Sequence, residues 1–341
     1  QNLRTNGISL NAVTGFTIKS SQFVANTASA TTGSAITAGG SSGNIVISDN
    51  VFNYNIDKGI DGSYTNSIVA SNVFEANTTS TGSAIEATLT YSSITGNVVN
   101  GGGDDGLSLL ILHTTVSGNQ IYNVGSTNDT NDHSIVMSGG SSNNSITGNV
   151  ITQGEGDGIR TSSSTDSNNT ISGNSIYNNG GNGIRIDSSD NNIISNNSIE
   201  NIGGTGASNA IEIGILADYN TITGNRITDT AGTGYAISIA GPSNPATNTY
   251  LSNNTYSGTG ASTINDQGTN TIYGGQLNSS NAFVVQGTAG VALNDGTITS
   301  TATTFNLLTA GVTTLNVADA ASSITFAGGS ASTGCTIDGT T

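Results

Sequence analysis

Charged residues make up only 8% of the 341-residue chain, so any cluster of ionisable side chains stands out. Asp104 and Asp105 lie side by side in GGGDDGLSLL (101–110), His133 lies in DHSIVMSG (132–139), and Asp157 and Arg160 lie in GDGIRT (156–161). Such a set suggests glycoside hydrolysis, in which one carboxylic acid protonates the leaving oxygen and a second carboxylate activates water or attacks the sugar. Asp104, Asp105, Asp129 and Asp132 could instead bridge a calcium ion, since hard cations take several oxygens, although no defined calcium loop surrounds them.

These residues sit in a repeat. An aliphatic residue, two small polar ones, Asn, any residue and an apolar one recur as ISDNVF (47–52), VASNVF (69–74), ITGNVV (94–99), VSGNQI (116–121), ITGNVI (146–151), ISGNSI (171–176), ISNNSI (194–199), ITGNRI (222–227) and LSNNTY (251–256). The shared residues are Asn50, Asn72, Asn97, Asn119, Asn149, Asn174, Asn197, Asn225 and Asn254, spaced by 22–30 positions. Between them runs a second pattern, two small or turn residues followed by an aliphatic: KGIDG (58–62), SAIEA (83–87), DGLSL (105–109), HSIVM (133–137), DGIRT (157–161), NGIRI (182–186) and NAIEI (209–213). Each coil therefore carries at least two short alternating strands joined by Gly- and Asn-rich turns. Strands that return at this period stack in parallel at about 4.8 Å, which is a β-helix. The asparagines are expected at a turn that tolerates left-handed backbone, with amides bonded to the asparagines above and below.

Composition agrees. Hydrophobic residues are 33% of the chain, and the polar remainder is Asn, Ser, Thr and Gly set around regularly spaced Ile and Val, which marks an ordered repeat rather than disorder. Strong helix formers are scarce. A net charge of −16 makes nucleic acid and anionic membranes poor partners, and no run is long and apolar enough to span a bilayer. The single cysteine, Cys335, excludes an intrachain disulfide. The chain opens on Gln1, consistent with a removed signal peptide or a fragment.

The runs ITGNVI, ISGNSIYNNGGNGIRI and ITGNRI resemble the parallel β-helix repeats of the pectate-lyase-like superfamily over about residues 1–290. The resemblance implies an all-β, right-handed solenoid with three strands per coil, here about 11–12 coils of 22–30 residues over 1–295. It implies little about activity, because the superfamily includes lyases, glycosidases, epimerases, adhesins and phage tailspikes. Residues 296–341 carry a shorter repeat of about ten residues (TTFNLLTAGV, TTLNVADAAS, SITFAGGSAS) that resembles phage tail-fibre and large bacterial surface proteins.

In a β-helix, equivalent positions form a line, and the second pattern aligns Asn6, Ser34, Lys58, Ser83, Asp105, His133, Asp157, Asn182, Asn209 and Tyr235. Asp105, His133 and Asp157 are consecutive, with neighbours expected about 5 Å apart. Polygalacturonase-like enzymes carry an Asn-Thr-Asp motif, an Asp pair, Gly-His-Gly and Arg-x-Lys on successive coils. GDDG (103–106) resembles the pair, DHSIVMSG the histidine motif and GIRT, with Arg160, part of the last. The first Asp is absent, Ser83 standing in its place; Asp132 and Ser134 replace the glycines, and Ser162 replaces the Lys. The competing account is structural: aspartate favoured before glycine in turns, in an exposed ladder where His133 is held as imidazolium by its neighbours.

Three residues along, Asp61, Glu86, Ser108, Val136, Arg160, Arg185 and Glu212 form an outward column, in which Arg185 and Glu212 are expected to pair. His113 stands isolated, and Tyr54, Tyr64, Tyr91, Tyr122, Tyr177 and Tyr219 could stack sugars but read more simply as scattered rim packing. The expectation is an extracellular, cell-surface or virion-fibre β-helix: a structural or adhesive module that binds a polysaccharide or cell-surface glycan and self-assembles through uncapped ends. A polysaccharide hydrolase or lyase is the alternative.

Overall fold

A computed structural model of the chain describes residues 7–24, 34–53, 58–75, 82–125, 131–203, 208–230, 234–241, 243–258 and 264–274. The repeat of 296–341, Tyr54 and Asp129 lie outside the described residues. The described chain is a parallel β-helix with three strands per coil and no helix. Two sheets hold eleven strands and the third holds ten, and each strand pairs with its counterparts three strands before and after it. All pairings are parallel.

Both sequence patterns map onto this frame. ITGNVI, for example, supplies a strand of the second sheet (Ser145–Thr147), a corner, and a strand of the third (Val150–Thr152). The second pattern supplies the first sheet, as in Leu107–Leu112 and Ile159–Thr161. Most strands are three residues long and bury only the middle or the outer two. Stacked aliphatics fill the interior: Ile146, Ile171, Ile194 and Ile222 in one column and Ile151, Ile176, Ile199 and Ile227 in another, all at most 1% exposed. β-Branched residues suit this pleated stacking, and full burial of each contributes about 1.5–3 kcal/mol. Near the first coils, Phe23, Phe52 and Phe74 replace aliphatics and stack at 4.9 and 4.5 Å.

The asparagine column is buried and bonded coil to coil. Asn149 Nδ2 donates to Asn174 Oδ1 at 3.0 Å and to the Val116 carbonyl at 3.0 Å, while its backbone N–H donates to the same Asn174 oxygen at 3.0 Å. Asn50, Asn72, Asn97, Asn119, Asn174, Asn197 and Asn225 repeat this geometry. The left-handed residue is not the asparagine but the one before it: Asp49, Ser71, Gly96, Gly118, Gly148, Gly173, Asn196, Gly224 and Asn253 all have positive φ. That split explains ITGN: Gly makes the corner and Asn fills it. A second ladder, Asn144–Asn169–Asn192–Asn220, runs along the corner before the second sheet. Its letters lay in NNSIT, NNTIS, NNIIS and YNTIT, where the first residue draws the eye and the second does the bonding.

The corner leading into the second sheet has one more column of positive φ: Gly15, Asn44, Asn66, Tyr91, His113, Asn143, Asn168, Asn191, Tyr219, Asn248 and Asn270. Seven of its eleven members are Asn, which tolerates this backbone; for other L residues it costs about 1–2 kcal/mol. In the first sheet, three successive strands, Ile60–Thr65, Ile85–Thr90 and Leu107–Leu112, are six residues long where later ones are three.

Candidate functional site

Asp105, His133 and Asp157 each precede a strand of the first sheet, at the corner where the chain arrives from the third. The structure brings them together as consecutive rungs, but indoors. Asp105 is 8% exposed, and His133 and Asp157 are each 4% exposed, so the exposed, solvated ladder expected of them is not what forms. The next residue of the second pattern explains the depth. Gly59, Ala84, Gly106, Ser134, Gly158, Gly183 and Ala210 line the inside of this corner, where a Cβ on Gly158 would stand 2.6 Å from the Gly183 carbonyl oxygen and 2.7 Å from Ile176 Cγ2. None of these glycines has positive φ among the residues that do. The Asp-Gly and Asn-Gly pairs thus reflect crowding rather than a glycine-demanding turn.

Each side chain of the column accepts the backbone N–H of its neighbour one coil on. Asp105 Oδ1 accepts from His133 at 2.8 Å, His133 Nδ1 from Asp157 at 3.0 Å, Asp157 Oδ1 from Asn182 at 2.7 Å, Asn182 Oδ1 from Asn209 at 2.7 Å, and Asn209 Oδ1 from Tyr235 at 2.9 Å. Aspartate, asparagine and histidine share this column because each presents an acceptor at the right reach. Ser83 occupies the same column, but its buried Oγ has no partner.

Burial displaces the two kinds of titratable group in opposite directions. The Asp105 carboxyl is raised to about 7, chiefly by desolvation, with the His133 N–H pulling the other way and Asp104 adding to the rise. Asp157 is raised as well, by desolvation first. His133 is lowered to about 4, by desolvation and then by Arg160 and Arg185. At neutral pH the imidazole is therefore uncharged, and the imidazolium expected from its acidic neighbours is not favoured. Geometry says the same. Arg160 Nη1, a donor only, stands 2.8 Å from His133 Nε2, while the Asp157 N–H faces Nδ1. An imidazolium would set N–H against N–H at both nitrogens, a neutral ring at only one.

Outside the corner, the column expected three residues along is present in register: Asp61, Glu86, Ser108, Val136, Arg160, Arg185 and Glu212. Two arginines stacked on adjacent strands need a counter-charge, and Asp187 supplies it. Its Oδ2 accepts from Arg160 Nε at 2.9 Å and lies 2.8 Å from Nη2, and its Oδ1 accepts from Arg185 Nε at 2.8 Å. The anticipated Arg185–Glu212 pair forms at the longer distance of 3.6 Å. Asp187 was not singled out by the sequence; its signal was the i, i+2 spacing Arg185-x-Asp187, which places both on one face of a strand.

Across the three six-residue strands runs a shallow groove of about 250 Å3. Its polar lining is Asp61, Ser63, Glu86, Thr88, Ser108 and Ser138, with Leu110 as an apolar patch. Lys58 bridges its two carboxylates, at 3.8 Å from Asp61 and 2.8 Å from Glu86. No group of three or more His, Cys, Asp or Glu among the described residues could hold a metal ion. Asp104, Asp105 and Asp132 thus make no calcium cage by themselves, because Asp105 turns inward to the His133 N–H. The tyrosines form no continuous face: Tyr64 is buried, Tyr177 lies on the third sheet, and Tyr91 and Tyr219 share the corner before the second sheet but stand five coils apart.

The fold and its coil-to-coil ladders define a parallel β-solenoid. Residues 92–295 match the family described as the right handed beta helix region, and the chain belongs to that family. Among solved structures it is similar to the A-module of mannuronan C-5 epimerase AlgE4 of Azotobacter vinelandii, at 15% identity and a TM-score of 0.57, covering 83% of this chain and 84% of that one. It is also similar to the periplasmic alginate epimerase AlgG, at 12% identity and a TM-score of 0.50, covering 78% of each chain. The Dettilon tailspike protein matches at 15% identity and a TM-score of 0.43, over 78% of this chain and 61% of that one. No curated protein sequence matches.

Proposed function

We propose that this chain is an extracellular or surface-exposed β-helix module, structural or adhesive, that binds a glycan along the outer face of its first sheet. The observation that carries the reading is the groove over the six-residue strands. Its serine and threonine hydroxyls and its two carboxylates are the groups that hydrogen-bond sugar hydroxyls, and they repeat at the coil spacing, as a polymeric ligand requires. Two proteins of the same fold are named for alginate or mannuronan epimerisation, which supports a polysaccharide as the class of ligand. End-to-end association belongs to the same proposal: the strands Ile8–Asn11 and Ile264–Asp266 each pair on one side only among the described residues.

Calorimetric titration of the full chain with neutral and uronate hexasaccharides tests it. Binding is expected, weakened about tenfold by Asp61→Asn with Glu86→Gln, each removed charged hydrogen bond contributing about 1.5 kcal/mol at most in so open a groove. No binding to any probe would overturn it.

A second reading, a polysaccharide hydrolase or lyase, is favoured by the opposed displacement of Asp105 and His133, which leaves a proton-bearing carboxyl beside a neutral imidazole. Against it, the His133 and Asp157 side chains are each only 5% exposed. Release of reducing or unsaturated sugars, abolished by Asp105→Asn, would favour this reading.

A further inference from the structure

Besides Gly15, three members of the left-handed corner column break its Asn rule, and two of them are neighbours. Tyr91 (φ 49°) and His113 (φ 51°) follow directly on the six-residue strands Ile85–Thr90 and Leu107–Leu112. Their rings stack at 4.9 Å with planes 4° apart, so His113 is not isolated. Tyr91 is 61% exposed and His113 is exposed as well. Neither ring fills the core, and both occupy a backbone conformation that suits Asn better. Tyr219, the third exception, has no ring partner among the described residues and takes no part.

The pair stands at the end of the groove. Thr88 and Leu110, which line the groove, lie three residues before Tyr91 and His113 on the same two strands. One face of Tyr91 is covered by His113. On the next coil back the same column holds the small, exposed Asn66. Asn66 in turn follows the groove strand that carries Asp61 and Ser63. An aromatic face beside a row of hydroxyls, carboxylates and an amide is the pairing a sugar presents in complement: an apolar C–H face and a rim of hydroxyls.

We infer that the stacked Tyr91–His113 pair is a platform for a pyranose ring of an uncharged glycan, seated over Asn66 at the end of the groove. The inference rests on the glycan-binding reading of that groove and adds the ligand class. An uncharged chain follows from the electrostatics: the groove holds two carboxylates against one lysine, on a protein of net charge −16, which repels a polyuronate.

The test uses Tyr91→Asn and His113→Asn, alone and together, in the full chain. These install the residue that seven other coils hold, so the melting temperature is expected to stay or rise. Calorimetry with neutral β-glucan, β-mannan and α-glucan hexaoses, and with hexauronates as the charged comparison, is expected to show binding of a neutral probe that falls about tenfold in the double variant. Saturation-transfer NMR on the wild type should place the sugar C–H protons against tyrosine and histidine ring protons. Binding of a neutral probe that is lost in the Asp61→Asn/Glu86→Gln variant but unchanged in the aromatic variants would overturn the platform and leave the groove standing. A lowered melting temperature with unchanged affinity would assign the pair a packing role instead. Preference for the hexauronates would overturn the ligand class.

Discussion

Asp105 and His133 hold opposite proton accounts in one buried column. With its carboxyl raised from 3.8 to about 7, Asp105 keeps a proton in the folded state that the unfolded chain has released. The stability this confers is whole below about pH 4 and is lost as the pH rises through about 7. His133, lowered from 6.5 to about 4, stays neutral when folded while the unfolded chain takes up a proton, so its contribution is whole above about pH 6.5 and is lost as the pH falls through about 4. Asn is the natural replacement at both, since Asn182 and Asn209 fill the same column with the same acceptor geometry. In urea titrations, Asp105→Asn should gain on the wild type as the pH rises from about 4 to 7, and His133→Asn should gain as it falls from about 6.5 to 4. Parallel pH profiles for the two variants would contradict their burial. The sequence disclosed that these residues are neighbours but not that they are buried. Alignment fixes which side chains share a line; the direction a line faces depends on the crowded Gly/Ala/Ser corner behind it.

At the level of the element, the asparagine ladder does what a helix cap does elsewhere, satisfying corner amides and carbonyls that no strand can reach. Asn174 accepts two bonds from Asn149 and donates to the Ile146 carbonyl and to Asn197, all at 3.0 Å or less. Asn174→Ala strands several buried partners and should cost about 3 kcal/mol in chemical denaturation, and Asn174→Asp more, because it buries a charge and removes both amide donors. A loss under about 1 kcal/mol for Asn174→Ala would mean that water replaces the amide. This ladder was legible because its Asn recurs at a fixed place, three residues after an aliphatic and two before an apolar residue. The second ladder was not, because Ser67, Ser92 and Thr114 substitute for Asn in its earlier coils and interrupt the letter pattern while keeping the bond. The letter patterns alone showed at least two strands per coil, because one six-letter motif spans two strands and the corner between them; the third came from the resemblance to known β-helix repeats.

Across the whole described solenoid, each coil touches only its neighbours, so stability is a sum over adjacent interfaces. Hydrogen exchange should therefore be slowest for the buried amides of the central coils, such as Ile146, Ile171 and Ile194, and fastest for Ile8–Asn11 and Ile272–Gly274, with a graded profile between. A single protection value throughout would require one all-or-none unit instead. The groove and the paired arginines lie on the same sheet, separated by the single strand Ile135–Met137, so strain or binding at one reaches the other within that sheet through this strand.

The ladder of asparagines is also a one-way street. Every Asn-to-Asn bond of the column runs toward the next coil, while each amide also donates back to a carbonyl of the coil before. A coil thus offers the same set of donors and acceptors to the coil before it and to the coil after it, whichever coil it is. Asn149 and Asn174 are 25 residues apart, and a segment of that length doubled in phase leaves each donor facing an acceptor. The architecture can therefore gain or lose whole turns by simple tandem duplication, and the length of such a protein becomes adjustable without redesigning any interface.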